Sequence, residues 1–243
     1  MRSLKDERRE RVGRLHVLTD ETLQDRYTHA ELARRAAAGG ADVVQYRDKR
    51  PRTTRQLVDT ARAVRAVLDS VAAAADARAA RAGSSGVLLI VDDRADVALA
   101  AGADGLHLGR DDLELEVARR ILGTERLIGG TANSLAEARA RFAEDYDYLG
   151  VGPVFGTTSK AHPAPALGLE ALAAIAAESP LPVLAIGGIT PERVHEVLHA
   201  GAHGIAVLSG VACAADPLEA TARYREAIES FRGDRAPAGR REM

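Results

Sequence analysis

Eight short apolar segments run along almost the whole chain, each followed by a polar or glycine-containing loop and then by a stretch of helical periodicity. The apolar segments are Leu15–Leu18, Val43–Tyr46, Val87–Val91, Gly105–Leu108, Leu127–Gly129, Tyr148–Val151, Val183–Ile186 and Gly204–Leu208. The helical stretches are Ala30–Ala38, Thr54–Ala75, Ala95–Ala101, Leu113–Leu122, Leu135–Ala143, Leu169–Ala177, Pro191–Ala200 and Pro217–Phe231. Strands that alternate with helices form parallel sheets through right-handed crossovers. The pattern predicts an α/β protein, and eight units predict a single closed (β/α)8 TIM barrel.

An open, doubly wound parallel sheet is the rival architecture for the same alternation. Three of the joints between a helix and the next strand share a theme of small residues, at 38–42, 101–105 and 200–204. Glycine at such a joint ends a helix in the left-handed conformation. The recurrence favours a repeated unit and therefore the barrel.

The predicted domain organisation is one barrel with three irregular parts. Residues 1–13 are polar and are expected to be a flexible N-terminal segment, and the barrel is expected to span 14–232. Residues 72–86, rich in Ala and Arg, read as an insertion that extends the second helix into a loop. The tail 233–243 is expected to be disordered.

Composition limits the classes of function. The chain has 243 residues, 46% hydrophobic but only 3% aromatic, so its core must be built from Ala, Val, Leu and Ile. A net charge of −2 indicates neither a nucleic-acid-binding nor a membrane-binding surface. No apolar run approaches the roughly 18 residues of a membrane span, and the charged N-terminus lacks the apolar core of a signal peptide. The single cysteine, Cys213, excludes an internal disulfide and fits a cytoplasmic location.

Two pairs of acidic residues follow two of the predicted strands. Asp92 and Asp93 follow the third strand, and Asp111 and Asp112 follow the fourth. Because the carboxyl ends of barrel strands meet at one mouth, these side chains are expected to lie close together. Carboxylates without clustered Cys or His favour Mg²⁺ over Zn²⁺. We predict Asp93 and Asp112 as Mg²⁺ ligands, whereas Asp92 and Asp111 also fit simple helix N-caps.

Basic and glycine-rich segments follow several other strands. Gln45, Arg47 and Lys49 alternate along an extended segment and so point to one side, which suits an anion, although a solvent-facing charged strand is the alternative. The segment 157–160 offers hydroxyl groups and Lys160. Glycines after strands seven and eight fit a phosphate cradle, or plain turns.

The predicted site combines anion-binding groups with a Mg²⁺ site and has no obvious nucleophile. A diphosphate neutralised by Mg²⁺, Arg47, Lys49 and Lys160 is a good leaving group. Catalysis would then consist of positioning and electrostatic stabilisation, with these three cations as the catalytic residues.

At this point the sequence resembles the thiamine-phosphate synthase family over about residues 14–230. The stretches that carry the resemblance are Leu18–Asp20, Val44–Lys49, Asp93–Ala98, Gly105–Gly109 with Asp112, Ile128–Thr131, Gly152–Phe155 with Lys160, Ala185–Ile189 and Leu208–Ser209. The resemblance implies a (β/α)8 barrel that joins a hydroxymethylpyrimidine diphosphate to a thiazole phosphate, releasing diphosphate by a dissociative mechanism with Mg²⁺ on Asp93 and Asp112. Its partners are therefore small molecules; oligomeric state does not follow from the sequence.

The resemblance also supplies a set of substrate-binding residues. They are Gln45, Tyr46, Arg47, Asp48, Lys49, Asp92, Thr131, Thr157, Thr158, Ser159, Lys160, Gly188, Leu208 and Ser209. Within this set, Thr157, Ser159, Gly188, Leu208 and Ser209 are implied to surround the thiazole phosphate. The sequence departs from the family pattern at Asp92 (usually Asn), Thr131 (usually Ser), Gly156 (usually Pro) and Ser159 (usually Thr).

Two other functions remain open at this point. The related thiazole tautomerase, an isomerase on the same barrel, relies on a His in the loop after strand five, where this chain has residues 131–133, Thr-Ala-Asn. A non-catalytic phosphate-binding barrel would be favoured if Arg47 or Lys160 pointed away from the mouth.

Overall fold

The computed structural model describes residues 3–76, 86–156 and 165–231 and shows eight parallel strands closed into a barrel. The strands are β1 (Leu15–Thr19), β2 (Val43–Tyr46), β3 (Leu88–Asp92), β4 (Gly105–Leu108), β5 (Leu127–Ala132), β6 (Tyr148–Val151), β7 (Val183–Ile186) and β8 (Gly204–Val207). Each strand pairs with its neighbours in sequence, and β8 pairs with β1 through Ile205 opposite Leu15 and Val207 opposite Val17. This last pairing confirms the (β/α)8 barrel and excludes the open sheet.

Helices surround the barrel and connect its strands. They are α1 (Leu4–Glu10), α2 (His29–Ala38), α3 (Thr54–Asp76), α4 (Ala95–Ala100), α5 (Leu115–Leu122), α6 (Leu135–Phe142), α7 (Gly168–Glu178), α8 (Val194–His199, after a 3-10 turn at Pro191–Arg193), α9 (Ser209–Ala212) and α10 (Pro217–Ser230). Local sequence explains several starts: Thr28 caps α2 in a capping box with Glu31, and Asp216 caps α10 just before Pro217.

The core has two layers, both built from aliphatic side chains as the composition predicts. The larger layer lies between the strands and the helices. The smaller layer fills the barrel interior and consists of Val12, Val43, Ile90, Leu127, Tyr148 and Leu184. Each fully buried aliphatic side chain contributes roughly 1.5–3 kcal/mol. Tyr148 and Leu184 of this inner layer also line the cavity at the C-terminal mouth of the barrel.

The prediction of a flexible segment at 1–13 is wrong for the residues that the structure describes. Ser3 caps α1 in a capping box with Asp6. Arg8, only 6% exposed, donates from Nε to the carboxylate of Asp147 at 2.7 Å and from Nη1 to the carbonyl of Thr124 at 2.8 Å. The helix therefore closes the N-terminal end of the barrel through a buried ion pair, which local sequence does not reveal.

The other two irregular parts lie largely outside the described residues. Helix α3 continues to Asp76, into the predicted insertion, and the description resumes at Gly86. The predicted tail, 233–243, is not among the described residues. Within the described ranges, none of the helices combines the length and the apolar character needed to cross a membrane.

Candidate functional site

A cavity of about 360 Å³ opens at the carboxyl ends of the strands, as the fold requires. It is lined by His16, Leu18, Gln45, Arg47, Lys49, Asp92, Asp93, His107, Gly109, Arg110, Asp111, Asp112, Thr131, Tyr148, Gly150, Leu184, Ile186 and Ala206. Charged groups dominate its mouth, and aromatic and aliphatic side chains dominate its floor. The structure therefore brings the predicted anion-binding and metal-binding side chains to one place.

The extension of β2 presents its residues to two sides, as the alternation predicts. Gln45, Arg47 and Lys49 line the cavity. Tyr46 lies on the opposite side, buried against α2 with its ring 4.8 Å from that of His29. All three members of the predicted anion-binding set thus face the ligand space, and the residues between them do not.

Asp48 also points away from the cavity. Its carboxylate accepts hydrogen bonds from the side chain of Arg50 at 2.8 and 2.9 Å, and Arg50 in turn pairs with Glu21 at 2.6 Å. Burial opposes ionisation of Asp48, but the Arg50 hydrogen bonds outweigh it and lower its pKa to about 2. The structure therefore does not bring Tyr46 and Asp48 to the predicted substrate site; together with Arg50 they hold the β2 extension against α2.

Arg47 is held from behind by a residue that the sequence analysis did not assign to the site. Asp20, with no exposed surface, accepts from Arg47 with one carboxylate oxygen. Its other oxygen accepts from the backbone N–H and the hydroxyl of Thr22, at 2.7 and 2.6 Å. An acidic residue directly after a buried strand was the available signal, because β1 ends at the same rim as β2.

Three carboxylates face the two cations across the mouth. Asp92 lies 3.6 Å from the Arg47 guanidinium and 3.2 Å from the Lys49 ammonium, which also contacts Asp93. The carboxyl groups of Asp93 and Asp112 are neighbours, and each shifts the pKa of the other. Asp92 is thus an ion-pair partner of both cations, and Asp93 and Asp112 form a neighbouring pair of carboxyl groups.

Backbone geometry fixes that pair. Asp93 adopts a left-handed conformation, with φ of 62°, and its N–H donates to the carbonyl of His107 on the neighbouring strand at 2.9 Å. Asp112 accepts from the N–H of Gly109 at 2.6 Å. Left-handed backbone is strained for a residue other than glycine, which indicates that the direction of the Asp93 side chain is imposed by the fold. Neither Asp92 nor Asp111 is a helix N-cap, because α4 begins after Arg94 and α5 after Glu114.

The pKa shifts follow from this crowding. Burial and the neighbouring Asp93 charge raise the pKa of Asp92 to about 6. Burial and the adjacent Asp93 carboxyl group raise the pKa of Asp112. Burial also opposes ionisation of Asp93, but its bond to Lys49 outweighs that effect and lowers its pKa. Adjacent carboxylates repel each other, and a bound cation would relieve that repulsion.

These residues fit a magnesium ion. Within residues 3–76, 86–156 and 165–231 no group of three or more His, Cys, Asp or Glu side chains is arranged to hold a metal. Two adjacent carboxylates are what Mg²⁺ ordinarily takes from a protein, because it keeps several waters and binds substrate phosphates. Asp93 and Asp112 therefore suit Mg²⁺ that is also held by water and substrate, and not a metal held by protein ligands alone.

Thr131, predicted to bind substrate, lies at the cavity floor beside His107. Its hydroxyl lies 2.9 Å from His107 Nε2, and His107 Nδ1 lies 3.2 Å from the hydroxyl of Tyr148. His16 packs edge-on against Tyr148 with ring centroids 5.3 Å apart. His16 and Tyr148 were missed from sequence because both belong to apolar strand segments and read as core.

The loops after β7 and β8 carry the remaining predicted residues. Gly188 is exposed with φ of 65°, and a Cβ there would lie 2.6 Å from the carbonyl oxygen of Gly156. Leu208 precedes the short helix α9, which begins at the exposed Ser209. Adjacent strands place these three predicted residues on one side of the mouth. The predicted Thr157, Thr158, Ser159 and Lys160 lie outside the described residues.

Comparison with known proteins agrees with this architecture. A family described as thiamine monophosphate synthase matches residues 15–211. The chain is 48% identical to a thiamine-phosphate synthase of Salinibacter ruber, covering 90% of this chain and 89% of that protein. It is 45% identical to a thiamine-phosphate synthase of Methanoculleus marisnigri, covering 90% and 97%.

Solved structures show the same relationship. A thiamine phosphate pyrophosphorylase from Pyrococcus furiosus superposes with a TM-score of 0.76 at 37% identity, covering 91% of this chain and 97% of that one. The (S)-3-O-geranylgeranylglyceryl phosphate synthase of Thermoplasma acidophilum, at 18% identity and a TM-score of 0.66, covering 95% and 100%, shares the fold alone. The chain therefore belongs to the thiamine monophosphate synthase family, and the synthesis of thiamine phosphate, a group transfer, is its function.

Proposed function

We propose that the chain joins 4-amino-2-methyl-5-(diphosphooxymethyl)pyrimidine to 4-methyl-5-(2-phosphoethyl)thiazole, or to the carboxylate of that thiazole, in a Mg²⁺-assisted dissociative substitution. The bond between the pyrimidine methylene carbon and the diphosphate oxygen breaks, and its electron pair leaves with diphosphate. The thiazole nitrogen then donates its lone pair to the methylene cation, forming the new C–N bond of thiamine phosphate. With the carboxylate as substrate, carbon dioxide also leaves, and the thiazole carbon that carried it takes up a proton from water.

One observation carries this proposal: two cations and a carboxylate pair meet at the mouth of a single cavity. Arg47 and Lys49 both contact Asp92, and Lys49 reaches the Asp93–Asp112 pair. A departing diphosphate develops negative charge, and fixed positive groups at that point stabilise the transition state more than the ground state. The proximity of the two cations to the pair therefore supports expulsion of diphosphate here.

Arg47 is prepared for this role before substrate binds. Asp20, itself held by Thr22, holds its guanidinium from behind, so little reorganisation is needed when the diphosphate arrives. Lys49, with 41% of its side chain exposed, is freer and would exchange its carboxylate partners for phosphate oxygens. Lys160 is proposed as the third cation, on the basis of the sequence.

Magnesium would be held by Asp93 and Asp112 and would supply a positive charge that polarises the diphosphate oxygens and stabilises the leaving group. Without a bound cation the mouth has an excess of acidic side chains, because Arg47, Lys49 and Arg110 face Asp20, Asp92, Asp93, Asp111 and Asp112. The described part of the mouth thus has too few positive charges of its own for a polyanionic ligand.

The floor of the cavity suits the pyrimidine ring. Gln45, Thr131 and His107 offer polar groups, and Leu184 and Ile186 offer apolar surface. The thiazole phosphate is proposed to lie beside Gly188, Leu208 and Ser209, with Thr157 and Ser159 as further partners implied by the family resemblance. We also propose a cytoplasmic location, which the single cysteine supports.

The test combines both substrates with Mg²⁺ and measures diphosphate release together with thiamine phosphate formation. We expect one diphosphate per thiamine phosphate and no release when the thiazole phosphate is omitted or when the metal is chelated. Thiazole carboxylate phosphate supplied alone is the control for tautomerase activity. Isomerisation of that compound without diphosphate chemistry would contradict the proposal.

A further inference from the structure

Four side chains form a continuous line of contacts across the floor of the cavity. His16 packs edge-on against Tyr148, whose ring stacks on that of His107 at 5.6 Å and 28°. The Tyr148 hydroxyl lies 3.2 Å from His107 Nδ1, and His107 Nε2 lies 2.9 Å from the Thr131 hydroxyl. Thr131 is the member of this line that is proposed to touch the pyrimidine.

Glycines on β5 and β6 leave room for the two stacked rings. A Cβ at Gly129 would lie 2.1 Å from Cζ of Tyr148. A Cβ at Gly150 would lie 3.2 Å from Cε1 of His107. A side chain at Gly129 would displace the Tyr148 ring, and one at Gly150 would crowd the His107 ring, so these glycines fit the observed arrangement.

Counting protons decides which way the hydrogen bonds run. Tyr148 is buried, and burial raises the pKa of its hydroxyl, which stays protonated. Among the residues that the structure describes, the Tyr148 hydroxyl makes a hydrogen bond with His107 Nδ1 and no other. If His107 carried its proton on Nδ1, the phenol proton would be buried without an acceptor, which is unfavourable.

The alternative arrangement gives both the Tyr148 proton and the His107 proton an acceptor. Tyr148 donates to Nδ1 of His107, so the imidazole proton lies on Nε2 and is donated to the Thr131 oxygen. The Thr131 hydroxyl proton is then not used within the line, and Thr131 lines the cavity. Such a hydroxyl can donate to an acceptor, and the ring nitrogens of an aminopyrimidine are acceptors.

We propose that Tyr148 is a positioning residue: it fixes the Nε2–H tautomer of His107 and, through it, turns the Thr131 hydroxyl into a hydrogen-bond donor toward the pyrimidine ring. The inference rests on the proposed function for the identity of the ring, but the hydrogen-bond direction is a property of the free protein. The proposed function and the hydrogen-bond direction are therefore tested by different measurements.

The first measurement is nitrogen NMR of the free protein with ¹⁵N-labelled histidine, in which the His107→Asn variant identifies the His107 signals. We expect wild-type His107 to be protonated on Nε2 alone and the Tyr148→Phe variant, which keeps the ring but loses the hydroxyl, to show a mixture of tautomers. A proton on Nδ1 in the wild type, or an unchanged tautomer in Tyr148→Phe, would overturn the proposal.

The second measurement is a double-mutant cycle with Thr131. We expect Tyr148→Phe to lower kcat/KM for the pyrimidine diphosphate about tenfold, with KM for the thiazole phosphate unchanged. The loss should persist in Thr131→Ser, which keeps the hydroxyl, and vanish in Thr131→Val, which lacks it. An equal loss in Thr131→Val would show that Tyr148 acts independently of Thr131. If the wild type formed no thiamine phosphate, the proposed function would be contradicted, but the NMR result on the His107 tautomer would be unaffected.

Discussion

The guanidinium of Arg47 is anchored by the carboxylate of Asp20, a side chain with no exposure to solvent that follows the first strand of the barrel. Twenty-seven residues separate the two in sequence. The contact links adjacent strands at the rim where the diphosphate is proposed to lie. As a result, Arg47, which is proposed to contact the ligand, is oriented by Asp20, which does not contact it.

Replacing Asp20 by Asn tests this anchoring. The amide keeps the shape and can still accept from Thr22, but it no longer attracts Arg47. We expect KM for the pyrimidine diphosphate to rise about tenfold, equivalent to about 1.4 kcal/mol, with KM for the thiazole phosphate unchanged. Glu21→Gln is the matched control, since Glu21 pairs with Arg50 on the side away from the cavity. Equal effects of the two variants in steady-state kinetics would contradict the account.

Replacing Asp93 by Asn tests the metal site. Losing one of two carboxylates should weaken Mg²⁺ binding and lower turnover roughly 100-fold at ordinary Mg²⁺ concentrations. Calorimetric titration with MgCl₂ in the absence of substrates measures the first effect independently of activity. Asp96→Asn is the control, because Asp96 is an exposed partner of Arg94 on the next helix. Unchanged Mg²⁺ affinity in Asp93→Asn would rule out this ligand assignment.

Replacing Arg8 by Ala tests whether α1 belongs to the fold. The change leaves the buried carboxylate of Asp147 with Arg119, at 3.1 Å, as its remaining cationic partner. Breaking a buried ion pair is costly, and with that partner retained we expect a loss of about 2 kcal/mol in the free energy of unfolding in urea. Arg11→Ala, an exposed position near the same end, should cost under about 0.5 kcal/mol. Equal stabilities of the two variants would indicate that α1 is not docked as described.

The buried His16 predicts a dependence of stability on pH. Burial lowers its pKa to about 4 in the folded protein, from an ordinary value of 6.5. Between these values the unfolded chain binds the extra proton, so stability is full above pH 6.5 and falls as the pH drops toward 4. The loss from this group amounts to about 3 kcal/mol. The difference in the free energy of unfolding between wild type and His16→Gln should shrink as the pH falls across this range. A difference that stays constant with pH would contradict the assignment.

Periodicity was sufficient to predict the barrel, because each strand and helix carries its own pattern. Val43–Tyr46 and Tyr148–Val151 were predicted with the bounds that the structure has. The alternation of Gln45, Arg47 and Lys49 also placed them on the cavity side. The same alternation places Tyr46 and Asp48 on the other side, so their inclusion among the substrate-binding residues conflicted with it.

The remaining features depend on contacts between distant segments. Arg8 and Asp147 are 139 residues apart, and nothing in residues 1–13 indicates a buried partner. The sequence contains many acidic residues, so Asp20 can be recognised as the partner of Arg47 only once β1 and β2 are seen to be adjacent. Tyr148 reads as an apolar strand residue, and only the side-by-side packing with His107 reveals its hydroxyl as part of the site.

The central claim is that cations at the C-terminal mouth expel diphosphate, and the Lys49→Gln variant tests it most directly. With saturating thiazole phosphate and Mg²⁺, kcat/KM for diphosphate release should fall roughly 100-fold, since one stabilising charge is removed from the transition state. Lys5→Gln, which loses only a pair with Asp145 at the other end of the barrel, should match the wild type. Diphosphate release at the wild-type rate by Lys49→Gln would contradict the account.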